Sequence, residues 1–170
     1  MLEGQGIELR AWREADLTTL CELRNDLALQ DLLLAQARPS SPERVRRWLI
    51  DKSDQEQALF FVIAERDSGQ CLGYVQLVNM RVLHGTAELG ICLAPKAQGR
   101  GVGRIALQLL EGYAQRVFAL RKIILQVLAE QGAAEFYRRV GYREVGRLQA
   151  HVFQNGQYRD VFLMERLLES

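Results

Sequence analysis

The chain has 170 residues, 48% of them hydrophobic, and a formal net charge of +1 from 22 basic and 21 acidic side chains. That length suits one core and a single domain over residues 1–170, and the near-neutral balance offers no global field to gather nucleic acid or an anionic membrane surface. No stretch approaches the roughly 20 apolar residues of a membrane span and no basic-then-apolar leader opens the chain, so a cytoplasmic location is expected. Cys21, Cys71 and Cys92 are odd in number and lack CxxC or histidine spacing, which fits reduced core thiols and no metal site.

In chain order, residues 6–11 alternate as a short strand, and 12–23 carry Leu17, Leu20 and Leu23 at helical spacing. Residues 26–36 are leucine-rich and partly helical. Ser41 then stands as an N-cap with Pro42 at the first helical position, opening a helix that turns Val45, Trp48 and Leu49 inward. From Ala58 the period changes to that of strands: 59–65 and 71–78 flank Asp67-Ser68-Gly69, and 85–93 follows, giving an antiparallel meander. Residues 101–118 form the longest helical pattern, with Ile105, Leu109, Tyr113 and Val117 in one stripe. A buried strand over 122–128 makes this passage the parallel part of the sheet. A short helix over 133–139 stops at Gly141, and strands 142–153 and 158–167 meet across Asn155-Gly156, a strong hairpin signal.

The most informative stretch is Gln98-Gly99-Arg100-Gly101-Val102-Gly103, between the strand and the long helix. Its glycines let the backbone take positive φ and come close to a ligand, and the first turn of the helix supplies unpaired N–H groups and a positive dipole end. This is a construction for an anionic group. A nucleotide-triphosphate loop is excluded, because Gly103 is followed by Arg104-Ile105-Ala106 instead of Lys and a hydroxyl residue. A dinucleotide turn fits Gly101-Val102-Gly103-Arg104-Ile105-Ala106, with Glu130 as a conceivable ribose ligand, but such a turn directly follows its strand, whereas residues 94–98 intervene here.

With the strand 87–93 before it, the glycine segment resembles motif A of the GNAT superfamily of acyl-CoA-dependent N-acetyltransferases. Ala133-Ala134-Glu135-Phe136-Tyr137-Arg138-Arg139-Val140-Gly141-Tyr142 is similar to that superfamily's motif B. The terminal hairpin, from His151 to Val161, resembles bacterial members related to ribosomal-protein alanine and spermidine N-acetyltransferases. The likeness covers most of the chain from Ala87 onward, and the earlier half matches only in layout. It implies an α/β fold: a mixed, mostly antiparallel sheet of six or seven strands with helices on both faces, splayed at the strand before the glycine loop.

The resemblance also implies roles. The backbone of Ile91, Cys92 and Leu93 would pair with the pantetheine arm of acetyl-CoA, and the loop Gln98, Gly99, Arg100, Gly101, Val102, Gly103 with Arg104 would hold its phosphates. Glu130 stands where many members carry an asparagine that contacts the coenzyme. Tyr137 would be the general acid, since a phenol of ordinary pKa about 10 readily protonates a leaving thiolate of about 8.5. Glu88 would be the base, with His84 and His151 as lesser candidates and Asn79 and Asp160 near the acceptor. Direct transfer is expected, because Cys92 has no partner histidine in sequence. The acceptor is a primary amine on a small molecule or a protein N-terminus; Glu22, Asp26 and Asp31 could attract a cationic one. A non-catalytic acyl-CoA-binding module is the alternative. Edge strands leave a homodimer open.

Overall fold

Three consecutive strands with apolar residues on both faces need cover from two sides, and the helices before and after them in sequence provide it. The computed structural model describes residues 1–130 and 132–168. Its elements are β1 (Leu2–Glu3), β2 (Ile7–Arg10), α1 (Leu17–Asn25), α2 (Leu27–Leu32), α3 (Pro42–Asp54), β3 (Leu59–Glu65), β4 (Cys71–Arg81), β5 (Thr86–Leu93), α4 (Val102–Phe118), β6 (Lys122–Leu128), α5 (Ala133–Arg139), β7 (Arg143–Gln154) and β8 (Gln157–Leu167). They build one sheet in the order β1-β2-β3-β4-β5-β6-β8-β7, antiparallel at every described pairing except β5 with β6. The expected mixed α/β sheet is present with eight strands in place of six or seven. The addition is β1, whose two residues pair as Leu2–Leu9 and Glu3–Glu8 and are too few to show a period.

Each face of the sheet has its own core. On one, Ile63, Val75, Leu77 and Ile123 pack with Ala106, Leu107, Leu110 and Ala114 of α4 and with Ala134 of α5. On the other, Val62, Ala64 and Tyr74 meet Leu20 and Leu23 of α1 and Val45 and Leu49 of α3. Trp48, Phe60 and Tyr74 close that second core as an aromatic cluster with ring centroids 5.2–5.4 Å apart. The Ser41 cap forms as expected, its hydroxyl accepting from the Arg44 amide at 3.3 Å.

Two buried ion clusters tie elements together. Arg10 donates to both oxygens of Asp16, at 2.8 and 2.9 Å, and to Glu8 at 3.1 Å, fixing β2 to the chain just before α1. All three are buried, so the pairing has to be complete: one unpaired member would leave a desolvated charge. In the second, the Tyr142 hydroxyl donates to Glu111 at 2.8 Å and Arg166 pairs with the same carboxylate at 3.0 Å, joining α4 to the segment after α5.

Candidate active site

β5 and β6 begin as neighbours and then part. Their ladder runs Thr86–Lys122, Ala87–Ile123 and Glu88–Ile124 and stops there, although β5 continues to Leu93 and β6 to Leu128. β4 stays paired with β5 as far as Leu93, and β8 with β6 as far as Leu128, so the sheet is split at its centre beyond Glu88. The splay expected at this strand is therefore present.

Hydrogen-bond alternation decides which backbone groups face the split. The Ala94 amide donates to Leu72 of β4 at 2.8 Å, while the Gly85 carbonyl accepts from Arg121 and Lys122 on the β6 side. Because the sides alternate residue by residue, Leu89, Ile91 and Leu93 aim their amides and carbonyls into the gap. Cys92 aims its own at β4, so of the three expected backbone partners only Ile91 and Leu93 face the opening. The Cys92 thiol is buried, and desolvation, with the Asp26 charge second, pushes its pKa up to about 12. A thiol held protonated in this way is a poor nucleophile.

The glycine loop follows from local chemistry. Pro95–Ala97 is one 3-10 turn, Gly99 and Gly101 take φ of 71° and 78°, and α4 begins at Val102. Gly101 is the N-cap and has no side chain to satisfy the first-turn amides, which leaves them free for a ligand. The Gln98 side chain folds back and donates to the Leu93 carbonyl at 3.1 Å.

Loop, split and α5 enclose a cavity of about 560 Å³. Gln98, Gly99, Gly101, Val102, Gly103 and Arg104 form one wall, Leu89 to Leu93 the floor, and Phe136, Tyr137 and Arg139 the far side, with Leu29, Leu32 and Leu33 reaching over from α2 and its end. Tyr137 is partly buried, and desolvation, with Cys92 as the lesser cause, raises its pKa to about 12. Its ring packs edge-on against Phe136 and Tyr142 at 5.2 and 5.8 Å. The hydroxyl makes no hydrogen bond to a described residue and so has a proton to give.

Glu88 is absent from this cavity and lines the adjoining one, of about 490 Å³. Leu33, Leu89 and Gln126 line both, so the cavities meet at the split. Among the described residues Glu88 enters no ion pair.

The remaining expectations divide. Arg104 lines the first cavity; Arg100 does not and leans 3.8 Å from Glu65. Glu130 lies outside the cavity, exposed and paired with Arg159. His84 sits in the exposed β4–β5 turn and His151 on exposed β7. Asn79 is exposed on a β-bulge with φ of 50°, and Asp160 is engaged by Arg147 and the Ala150 amide. Glu22 is exposed, Asp26 caps α2 through the Leu29 amide, and Asp31 accepts from Gln154 and Asn155. None of these three acidic residues lines either cavity. Arg139 and Gln126 were missed. Arg139 had a signal, a cation two residues beyond Tyr137; Gln126 had none, being one polar residue in an apolar strand.

A family model for the acetyltransferase (GNAT) domain matches residues 7–143. The spermidine N(1)-acetyltransferase of Escherichia coli K12 is 30% identical over 96% of this chain and 87% of its own length. The crystal structure of spermidine N-acetyltransferase from Vibrio cholerae in complex with CoA and spermine matches with a TM-score of 0.87 at 27% identity, covering 95% of both chains. A dodecameric structure of the Vibrio cholerae enzyme in an intermediate state matches with a TM-score of 0.80 at 27% identity over 95% of this chain and 94% of that one.

Proposed function

The chain belongs to the GNAT acetyltransferase family, and from that premise we propose that Tyr137 is the general acid and Glu88 the general base of its reaction. The enzyme is an N-acetyltransferase with acetyl-CoA as acyl donor and an amine as acceptor. One observation carries the assignment: the two cavities meet where the β5–β6 ladder ends, with Tyr137 lining one and Glu88 lining the other.

The donor's cradle is suited to its ligand. Uncapped amides at the start of α4, with Arg104 and Arg139 on the walls, match a pyrophosphate, and the backbone groups that Ile91 and Leu93 turn to the gap, apart from the Leu93 carbonyl already held by Gln98, match the amide-bearing pantetheine arm. Glu88, directly or through water, takes a proton from the incoming ammonium, leaving a neutral amine to form the new C–N bond. A β5 amide in the gap donates to the thioester carbonyl oxygen as negative charge builds there. Tyr137 donates its phenolic proton to the departing sulfur as the C–S bond breaks, and the second proton shed by the newly acylated nitrogen restores the phenol. Burial keeps that proton in place at neutral pH, and the buried, protonated Cys92 is bypassed, so transfer is direct.

No described helix is long and apolar enough to cross a membrane. A cytosolic location fits the three free thiols Cys21, Cys71 and Cys92. Self-association through exposed β7 belongs to the same proposal.

The test is Tyr137→Phe. We expect kcat to fall about 100-fold or more, with acetyl-CoA affinity by calorimetry unchanged. Full turnover in the variant would remove Tyr137 from the chemistry. No amine-dependent release of CoA by the parent protein would favour a binding module.

A further inference from the structure

We infer that the acceptor carries a single ammonium on an apolar body, as an arylalkylamine or a branched alkylamine does, and that a polyamine is a poor substrate. The inference rests on the reading that the Glu88 cavity receives the acceptor. That cavity contains two carboxylates, and they are not equivalent. Glu165 is engaged twice, by Lys122 and by Arg143 at 2.7 Å, while among the described residues Glu88 has no ion-pair partner. Glu88 is thus the one carboxylate of the cavity left to meet an ammonium, and Lys122 on the same wall repels a second.

The rest of the wall is mostly apolar, with Leu33, Leu34, Ile124, Val145 and Leu163 among its residues, and its other polar side chains are Gln126 and the cation Lys122. A second ammonium would have to leave water against these side chains with no carboxylate to receive it, which is unfavourable. The hydrocarbon of a monoamine would instead be buried favourably.

The apolar wall is held deliberately. Leu34 takes φ of 57°, a left-handed conformation that leucine rarely adopts and that persists only where the surroundings enforce it. Here they do. The Leu34 amide donates to the Asp31 carbonyl at 3.1 Å, the same carbonyl accepts from the Gln154 side chain at 2.6 Å, and the Asn155 side chain holds the Asp31 carboxylate at 3.2 Å. The β7–β8 turn thus pins the end of α2 over the cavity, and its nearest acid, Asp31, is turned to that turn.

Initial rates of CoA release would be measured with acetyl-CoA and, at matched pH and ionic strength, phenethylamine, 3-methylbutylamine, leucinamide or spermidine. We expect kcat/KM for the two plain monoamines to exceed that for spermidine by about tenfold or more. Leucinamide, which stands for a peptide N-terminus, should lie below them, because its amide must be desolvated against the same wall. Gln126→Glu, an isosteric change that adds one carboxylate at the junction of the cavities, should move the monoamine-to-spermidine ratio toward spermidine. Spermidine equal to or better than the monoamines would overturn the inference and leave the acetyltransferase reading standing, and so would an unmoved ratio in Gln126→Glu. Acetyl-CoA binding with no turnover of any amine would overturn that reading, and the inference with it.

Discussion

Arg100 and Arg104 are four residues apart and alike in charge, yet only Arg104 lines the donor cavity, while Arg100 leans toward Glu65. Arg104 stands in the first turn of α4, whereas Arg100 lies in the loop before the left-handed Gly101 N-cap, so the helical i, i+4 relation does not hold between them and composition alone cannot tell them apart. Arg104→Ala should therefore raise the KM for acetyl-CoA about five- to tenfold, with the effect shrinking as salt is added, while Arg100→Ala should change it less than twofold. Steady-state kinetics at two ionic strengths checks both. Tyr137 and the glycine loop were legible in the sequence because their chemistry is written in residue type and spacing. Cys92 was half legible: it lies on the right strand, but the side to which its backbone points depends on the register with β4. Glu130 was not legible, because its partner Arg159 is 29 residues away in sequence.

At the scale of elements, α4 shows where periodicity misleads. The stripe Ile105, Leu109, Tyr113, Val117 is apolar, yet Val117 is 51% exposed, and the buried face runs through Val102, Ala106, Leu110 and Ala114. Small residues let the helix come close to the sheet, and an eye for bulk passes over alanine. Ile105 and Leu109 instead meet the β1–β2 turn at Gly4, contacts that belong to a strand pair too short to foresee. By contrast β3, β6 and α5 occupy the expected residues, since each is bounded by turn-forming residues and has a clear period. The same helix separates two glycines by function. Gly101 needs its positive φ but has open space around it, whereas a Cβ on Gly103 would lie 3.0 Å from Phe136, the neighbour of Tyr137. Gly101→Ala should cost about 1 kcal/mol of stability and weaken acetyl-CoA binding through the reshaped loop. Gly103→Ala should act mainly on kcat, by displacing α5. Chemical denaturation paired with kcat and KM for both variants separates the two effects.

Over the whole molecule, burial sets the alkaline limit of stability. Desolvation raises the pKa of Cys71 to about 11 and those of Cys92 and Tyr137 to about 12, and it holds Tyr74 and Tyr142 well above the usual phenol range. These groups are raised in the folded state, so their contribution is complete below the unfolded thiol value of about 8.5 and is lost as pH climbs through the folded values. The thermal midpoint should hold between pH 7 and about 8.5 and fall steadily toward pH 11. A flat midpoint over that upper window would contradict the burial of these side chains. Assembly is the second property of this scale. β7 is last in the sheet order, so its outer edge offers unpaired backbone groups, and most of its residues are exposed on both faces. At its end Phe153 and Tyr158, 59% and 68% exposed, meet edge-on at 5.1 Å on the hairpin that pins α2 over the Glu88 cavity. An edge of this length, with an aromatic pair at its end, is open to the pairing with a second copy proposed above. Light scattering behind a sizing column should therefore give more than one chain per particle. Phe153→Glu with Tyr158→Glu should lower that number, and the KM for the amine should rise with it, because the α2 roof and the edge contact share one hairpin. A parent protein that stays monomeric at tens of micromolar would remove β7 as an interface and leave the hairpin its role in the cavity alone.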